Sequence, residues 1–151
     1  MNILIAGAGG YLGKQLINLY LEAGHQVRAF VLREAELAGF KHPALTIIAG
    51  DVTRPEQLVG LCQGVEQVIS CIGITRLKGT LTHHDVDYQG NVNLLAEAVK
   101  DGVRKFGFIS PAGTDEGYGA VPLLAAKYKF EQDLRASGLE AKVQAALKQQ
   151  N

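Results

Sequence analysis

The amino terminus of this chain runs from a short apolar segment directly into a cluster of glycines. Ile3–Ala6 is apolar, and Gly7–Gly13 then opens a segment with the apolar spacing of an amphipathic helix. A strand that turns through glycines into a helix can bind the pyrophosphate of a dinucleotide. The glycines let the backbone approach the phosphates, and the free N–H groups and dipole at the helix start attract the anion.

The spacing of these glycines is Gly7-x-x-Gly10-x-x-Gly13 rather than G-x-G-x-x-G, because Leu12 stands where the latter pattern has its last glycine. A glycine pattern by itself is also typical of an ordinary tight turn between a strand and a helix. The strand before it and the helix after it are the context that a dinucleotide site requires. We therefore favour the dinucleotide interpretation.

The bulk composition describes a single domain with balanced charge. The 151 residues are 47% hydrophobic, and 15 basic residues match 15 acidic ones. This balance argues against a surface for nucleic acid or for an anionic membrane, and no segment has the length and apolarity of a membrane span. Cys62 and Cys71 have apolar neighbours and no metal-ligand spacing. A cytoplasmic, reduced protein without a signal peptide is expected.

Strands and helices alternate along the chain. The pattern predicts strands at about 2–6, 27–32, 45–49, 65–72 and 105–110. It predicts helices at about 11–23, 84–100 and 121–136, with short helical turns at 34–38 and after Thr53. We expect an α/β fold, with a Rossmann-type, doubly wound parallel sheet of about five strands between two layers of helices.

The predicted domain covers residues 1–138, and residues 139–151 are expected to form its helical tail. Leu139, Val143, Ala146 and Leu147 recur at helical spacing, and β-branched residues are almost absent. With no sixth strand, the edge of the strand at 105–110 would be exposed. A homodimer or a domain of low stability would follow.

Six sequence segments together resemble the atypical, NmrA-like branch of the short-chain dehydrogenase/reductase superfamily. Their order and spacing cover nearly the first 139 residues. They are Ala6–Gly13, Gly24–Phe30, Gly50–Val52, Val86–Leu95, Val103–Phe106 with Ile109–Ser110, and Ala126–Glu131 with Leu134–Leu139. The resemblance implies an NAD(P)-binding Rossmann domain and an oxidoreductase that acts on a small, unidentified substrate. It also implies a sixth strand and a substrate-binding segment after Glu140, which the residues there do not match.

The resemblance assigns the glycine turn to the cofactor's phosphates. Gly7, Gly10 and Gly13 would cradle the pyrophosphate, together with the backbone N–H groups of Tyr11 and Leu12. This assignment agrees with the anion-binding chemistry expected of a helix start. It therefore repeats, by a separate route, what the local sequence already indicates.

Two further strand ends are assigned in the same way. Asp51 and Val52 would lie against adenine, and Cys71, Ile72 and Gly73 would line the ribose and nicotinamide side. Ligands of open α/β sheets bind beyond the carboxyl ends of the strands. Asp51 can equally be a turn-forming or capping aspartate, and Cys71 is more typical of a small buried hydrophobe than of a reactive thiol.

The choice between NAD and NADP depends on the end of the second strand. An acidic residue there binds the 2′-hydroxyl of NAD, whereas an arginine accommodates the 2′-phosphate of NADP. The family's usual arginine falls where Leu32 stands, and Arg33 follows one position later, before Glu34. Arg33 favours NADP, with NAD as the alternative. A solvated surface arginine is the simpler explanation.

The catalytic residues of the superfamily match this chain only in part. Its reductases use a tyrosine as proton donor and a lysine four residues later. Lys127 matches the lysine, but Leu123 stands at the tyrosine position. Lys127 can also pair with Glu131 or extend to solvent. Ser110 matches the position of the catalytic serine, and a hydroxyl that caps the following loop is equally compatible.

Metal binding is not expected. His83 and His84 are adjacent, and neighbouring side chains on a helix diverge by about 100° rather than converge on one ion. The sequence leaves three functions open: an NAD(P)-dependent oxidoreductase, a regulator that senses NADP(H) without turnover, and a shortened enzyme product. Its partner is a small substrate or none.

Overall fold

Six parallel strands form one sheet in the computed structural model, which describes residues 1–72, 84–111, 122–137 and 140–146. The strands are β1 Asn2–Ala6, β2 Gln26–Val31, β3 Leu45–Ala49, β4 Gln67–Ser70, β5 Lys105–Pro111 and β6 Glu140–Ala146. Their order across the sheet is β3-β2-β1-β4-β5-β6. The order reverses between β1 and β4, which is where doubly wound sheets bind dinucleotides. The predicted fold class is confirmed.

Three α-helices connect these strands within the described residues. They are α1 Tyr11–Glu22, α2 Asn91–Lys100 and α3 Pro122–Ala136. A π-helical segment, His84–Gly90, leads into α2, and two 3₁₀ turns lie at Glu34–Leu37 and Pro55–Gln57. None of the described helices has both the length and the apolarity to cross a membrane.

The core lies on both faces of the sheet because successive strand residues point to opposite sides. Ile3 and Ile5 of β1 pack on the face that α1 covers, with Ile17 of that helix. Leu4 packs on the other face with Leu94 of α2. Burial of a β1 strand on both faces explains why it is apolar at every position except its first.

Helix α3 packs on this second face of the sheet through the aromatic ring of Phe130. Phe130 of α3 is fully buried. Its ring centroid lies 4.8 Å from that of Phe108 and 5.9 Å from that of Phe106, both on β5. Leu134, one turn later, is also fully buried. Phe130 and Leu134 thus lie on the face of α3 that packs against the sheet.

The buried face of α1 does not include every large apolar side chain of the helix. Leu19 is 59% exposed, whereas Gly13 and Ile17 are buried. An ideal Cβ on Gly13 would lie 2.6 Å from the Cα of Ala8. The close approach of Gly13 to the turn therefore sets the rotation of the helix, and the larger leucine is turned to solvent.

The expected helical tail is wrong, because residues 140–146 form the sixth strand. β6 pairs in parallel with β5 over seven register positions, from Lys105↔Glu140 to Pro111↔Ala146. The edge of β5 offers N–H and C=O groups along its length, and pairing with them overrides a weak helix preference. The sheet has six strands rather than five. The exposed β5 edge, on which the expected dimer depended, is covered.

Candidate functional site

The first glycine of the turn is required by the fold itself. Gly7 has φ +72°, and an ideal Cβ there would lie 2.8 Å from the carbonyl carbon and oxygen of Cys71. Its N–H donates to the Phe30 carbonyl at 3.1 Å. The turn is thereby held against the ends of β2 and β4, and any side chain at Gly7 would separate them.

Gly10 differs, because a side chain there would enter open space. The nearest atom to an ideal Cβ on Gly10 is the Gly7 carbonyl oxygen, at 3.9 Å. Gly10 is the N-cap of α1, with extended backbone, no capping side chain and no acidic residue in the first turn. The N–H groups of Tyr11, Leu12 and Gly13 occupy the first turn, where intrahelical partners are lacking. This geometry fits a phosphate group.

A cavity of about 380 Å³ opens at the carboxyl ends of β1–β4, beside the glycine turn. Six residues that the sequence predicts for the site line it: Gly7, Gly10, Asp51, Val52, Cys71 and Ile72. Four others do not line it: Tyr11, Leu12, Gly13 and Arg33. Gly73 lies outside the described residues. The remaining walls come from residues that sequence analysis did not select, among them Phe30, Leu32, Glu36 and Val86.

Asp51 serves the local turn as well as the cavity. Its Oδ1 accepts hydrogen bonds from the Thr53 N–H at 2.9 Å and from the Thr53 hydroxyl at 2.6 Å. Arg54 approaches its Oδ2 at 3.9 Å. The turn-forming role considered for Asp51 is therefore present. Thr53 is engaged with Asp51 rather than capping the 3₁₀ turn that follows.

Val52 contacts both helix α2 and the segment that leads into it. The Asn93 side-chain amide donates to the Val52 carbonyl at 3.0 Å, and an ideal Cβ on Gly90 would lie 2.7 Å from Val52 Cγ1. Gln89 in turn donates to Asn93 at 2.9 Å. This close packing connects α2 to the cavity wall, a contact that no local pattern in the sequence indicates.

The end of β4 is stabilised by a buried polar pair. Ser70 and Asn91 are both fully buried, and the Ser70 hydroxyl donates to the Asn91 side-chain oxygen. The Ile72 N–H donates to the same hydroxyl at 3.3 Å. Two buried polar side chains thus fix the backbone at Ile72, and their signal in sequence is only a serine that ends an apolar strand.

The end of β2 places an acid, not the arginine, against the cavity. Arg33 is exposed, and its backbone N–H donates to Glu36 Oε2 at 2.7 Å. An ideal Cβ on Gly9 would lie 2.8 Å from the Glu36 Cβ and 2.9 Å from its Cδ. The Glu36 carboxylate therefore lies directly over the glycine turn.

The two cysteines occupy contrasting environments. Cys62 is fully buried, and burial, together with the negative charges of Asp101 and Glu97, raises the pKa of its thiol to about 12. Cys71 is partly exposed and lines the cavity. A thiol with a high pKa carries almost no thiolate near neutral pH and reacts slowly.

The candidate catalytic residues are described at the level of the backbone. Ser110 lies in β5, opposite Ala145 of β6. Lys127 lies in α3, one turn after Leu123. Both roles remain predictions from the resemblance. Within the described residues, no group of three or more metal-ligating side chains is present.

Comparison with known proteins identifies the family and the fold. The model of a family described as NAD(P)H-binding matches residues 7–142. The photosystem II assembly factor Ycf39 of Synechocystis sp. is 31% identical over 140 residues, which cover 93% of this chain and 42% of that protein. The chain therefore spans less than half the length of this curated relative.

Two solved structures share the fold at low identity. The Bordetella bronchiseptica enzyme WbmG, in complex with NAD, superposes with a TM-score of 0.80 at 22% identity, covering 95% of this chain and 52% of that one. The NADPH-dependent quinone oxidoreductase QOR2 of Escherichia coli, complexed with NADPH, gives 0.74 at 21% identity, covering 93% and 47%.

Proposed function

The chain belongs to the NAD(P)H-binding family, and on that premise we propose that it binds a pyridine dinucleotide across the glycine turn and the adjoining cavity. The observation that carries the proposal is the contrast between two glycines. At Gly7, backbone atoms of Cys71 and Ile72 occupy the space where a Cβ would lie. At Gly10, the corresponding space is open, and no side chain caps the start of helix α1. Open space and unpaired N–H groups are what a pyrophosphate needs.

The predicted residues divide between the two ends of the cofactor. Gly10 and the first turn of α1 would bind the pyrophosphate, while Asp51 and Val52 would lie against adenine. Cys71 and Ile72 would lie on the nicotinamide side, with Ser110 and Lys127 towards the substrate. When bound, a pyridine dinucleotide supplies or accepts a hydride at its nicotinamide ring.

An oxidoreductase acting on a small carbonyl or related substrate is the leading form of the proposal. The relation of the chain to reductases of this superfamily supports it. Leu123 supports a second form, a dinucleotide-binding regulator without turnover, because leucine has no proton to donate where those enzymes have tyrosine. Turnover of carbonyl substrates by the purified chain, monitored through loss of reduced nicotinamide absorbance, separates the two forms.

Cofactor binding is tested by charge at the helix start. We expect Gly10→Asp to weaken NADH and NADPH binding at least 100-fold, about 2.7 kcal/mol, because a carboxylate would meet the phosphates. Gly10→Asn is the matched control, since it has the same shape without charge. Asp and Asn are both favoured N-caps, so each variant should keep the parent's stability to within about 0.5 kcal/mol. Calorimetric titration and thermal unfolding measure the two effects.

Equal affinity of the aspartate variant and the parent would place the phosphates elsewhere. The location is checked independently by thiol labelling at pH 8. Cys71 should react in the free protein and be protected at least tenfold by saturating dinucleotide, while Cys62 stays unreactive throughout. Cys71→Ala identifies the reactive thiol. Unchanged labelling of Cys71 under saturation would contradict binding in this cavity.

The choice between NADP and NAD rests on two charged residues that follow β2. Arg33 is the basis of the NADP preference inferred from sequence, and it is exposed. Glu36, three residues later, lines the cavity. A binding preference for NADPH that Arg33→Ala abolishes would support a role for Arg33.

A further inference from the structure

We propose that Glu36 is the residue that selects the cofactor, favouring a dinucleotide whose adenosine ribose carries a free 2′-hydroxyl, NAD(H), over its 2′-phosphorylated form, NADP(H). The inference rests on the proposed dinucleotide site. The sequence pattern does not indicate Glu36 as a site residue, because the strand end carries Leu32 and the acid comes four residues later.

The position of Glu36 is fixed by its own short helical turn. Glu34–Leu37 is a 3₁₀ turn, and Leu37 is buried in the core cluster beneath α1. Anchoring Leu37 in the core holds the turn on the sheet. The Arg33 N–H donates to Glu36 Oε2 at 2.7 Å and orients the carboxylate. Glu36 is exposed, and this bond to the backbone holds its carboxylate towards the cavity that it lines.

The absence of a side chain at Gly9 makes room for this carboxylate. An ideal Cβ on Gly9 would contact Glu36 Oε1 and would lie 2.8 Å from its Cβ. The lack of a side chain at Gly9 thus leaves space for the Glu36 side chain, whose carboxylate lies beside the segment that would hold the pyrophosphate. Gly10, by contrast, faces the open space proposed for the phosphates.

The surroundings of Glu36 correspond to a ribose subsite. Leu32 and Glu36 follow β2 and line the cavity, and β2 lies in the sheet between β1, which leads into the glycine turn, and β3, which leads into the Asp51–Val52 wall assigned to adenine. The adenosine ribose lies between the pyrophosphate and adenine in any dinucleotide bound this way. A carboxylate accepts hydrogen bonds only, so it can bind ribose hydroxyls as donors. A 2′-phosphate would add up to two negative charges beside it, and like charges repel.

Arg33 does not line the cavity, so its positive charge is not placed to offset this repulsion. Arg33 and Glu36 are both exposed, but of the two only Glu36 is among the described residues that line the cavity. The residue that does line the wall at the strand end, Leu32, is uncharged. The local charge that a 2′-phosphate would meet is therefore that of Glu36.

The test compares NADH and NADPH affinities in four proteins: the parent, Glu36→Gln, Arg33→Ala and Glu34→Gln. We expect the parent to bind NADH at least tenfold more tightly than NADPH. Glu36→Gln should remove most of this preference, by strengthening NADPH binding and weakening NADH binding. Its amide oxygen can still accept from the Arg33 N–H. Glu34→Gln is the matched control, since Glu34 is exposed on the same turn and does not line the cavity.

The outcomes separate this inference from the proposed function. If neither dinucleotide binds the parent, the dinucleotide site is wrong. If both bind and the parent prefers NADPH, or Glu36→Gln changes both affinities by the same factor, the site stands and the role of Glu36 is wrong. Loss of preference in Arg33→Ala with no change in Glu36→Gln would also overturn it. Thermal unfolding of each variant shows whether a common loss of affinity reflects loss of the fold.

Discussion

The first 72 residues and the residues from 84 onward contribute differently to the candidate site. Every described residue that lines the cavity belongs to the first group except Val86. The candidate catalytic residues, Ser110 and Lys127, belong to the second. The amino-terminal region forms the candidate cofactor cavity by close backbone contacts near the glycine turn. The carboxy-terminal region carries the positions at which the resemblance predicts catalytic residues.

Under the proposed function, this division would separate cofactor binding from chemistry. The glycine turn and the ends of β2–β4 would bind the dinucleotide, and no proton donor at Leu123 is needed for that. The two regions are joined by the pairing of β4 with β5 and by the Ser70–Asn91 hydrogen bond, and they also meet in the cavity wall, where Asn93 and Gly90 contact Val52. A substitution in the carboxy-terminal region that spares these contacts is therefore expected to leave dinucleotide affinity unchanged.

The largest effect on the amino-terminal region is expected from Gly7→Ala. A methyl group there would overlap the backbone of Cys71 and require a non-glycine residue at φ +72°. Left-handed backbone costs about 1–2 kcal/mol and overpacking about 1–3 kcal/mol. We expect a loss of about 2–4 kcal/mol in the free energy of unfolding, measured by urea titration.

Gly10→Ala is the control for this prediction. Its new methyl group meets only the Gly7 carbonyl oxygen, at 3.9 Å, so its unfolding free energy should change by less than about 1 kcal/mol. Equal losses in the two variants would mean that the glycines do not divide between fold and ligand. The comparison between the two regions would then lose its basis.

The amino-terminal region was largely predictable because its signals are local. β1 and β3 begin and end where the apolar pattern predicts, and the helical turn after β2 is present as Glu34–Leu37. The role of Glu36 was not predictable, since it depends on the turn folding back over Gly9. Alternation of single residues indicates a strand, but the direction of one side chain at a strand end depends on tertiary contacts.

The carboxy-terminal region shows where local signals conflict. Glu140, Lys142 and Gln144 alternate with Ala141 and Val143 in the period of a strand. The same segment has alanines and unbranched polar residues, which favour a helix. Helix propensity alone predicts a helix here, whereas pairing with β5 stabilises the strand that is observed. That pairing brings together residues about 35 positions apart, as the register Lys105↔Glu140 shows.

Proline substitution in β6 tests this region with a smaller effect. In an edge strand, alternate N–H groups face the neighbouring strand, and the others face away. Of Val143→Pro and Gln144→Pro, one should therefore lose a hydrogen bond to β5 and the other should not. We expect their unfolding free energies to differ by about 1–2 kcal/mol, as measured by chemical denaturation.

Alanine at the same two positions corrects for loss of the original side chains. In a helix, proline at either position would be similarly costly, at about 3 kcal/mol. Large and equal losses would therefore restore the helical tail. No loss in either proline variant would mean that β6 contributes nothing to the stability of the fold.

The smallest effect is expected at a contact within the carboxy-terminal region. The Tyr88 hydroxyl donates to Asp133 of α3, and Lys129 Nζ lies 4.3 Å from the centroid of the Tyr88 ring. Lys129 and Asp133, one turn apart on α3, therefore both contact Tyr88. Tyr88→Phe should lower the unfolding free energy by about 1 kcal/mol, since the bond to a carboxylate is only partly buried. Tyr11→Phe is the control, because Tyr11 is 70% exposed.

The pH dependence of this difference identifies its cause. The hydrogen bond to Asp133, with a smaller contribution from burial, raises the pKa of Tyr88 from 10.0 to about 12. A pKa raised by folding means that the protonated tyrosine stabilises the folded state, so its contribution is complete below pH 10 and is lost between pH 10 and about pH 12.

The parent should therefore exceed Tyr88→Phe in stability by a constant amount up to pH 10, and the excess should shrink above it. Cys62 titrates in the same range in both proteins, so its effect cancels in the difference. A difference that stays constant through pH 12 would show that the phenylalanine variant loses packing rather than the hydrogen bond.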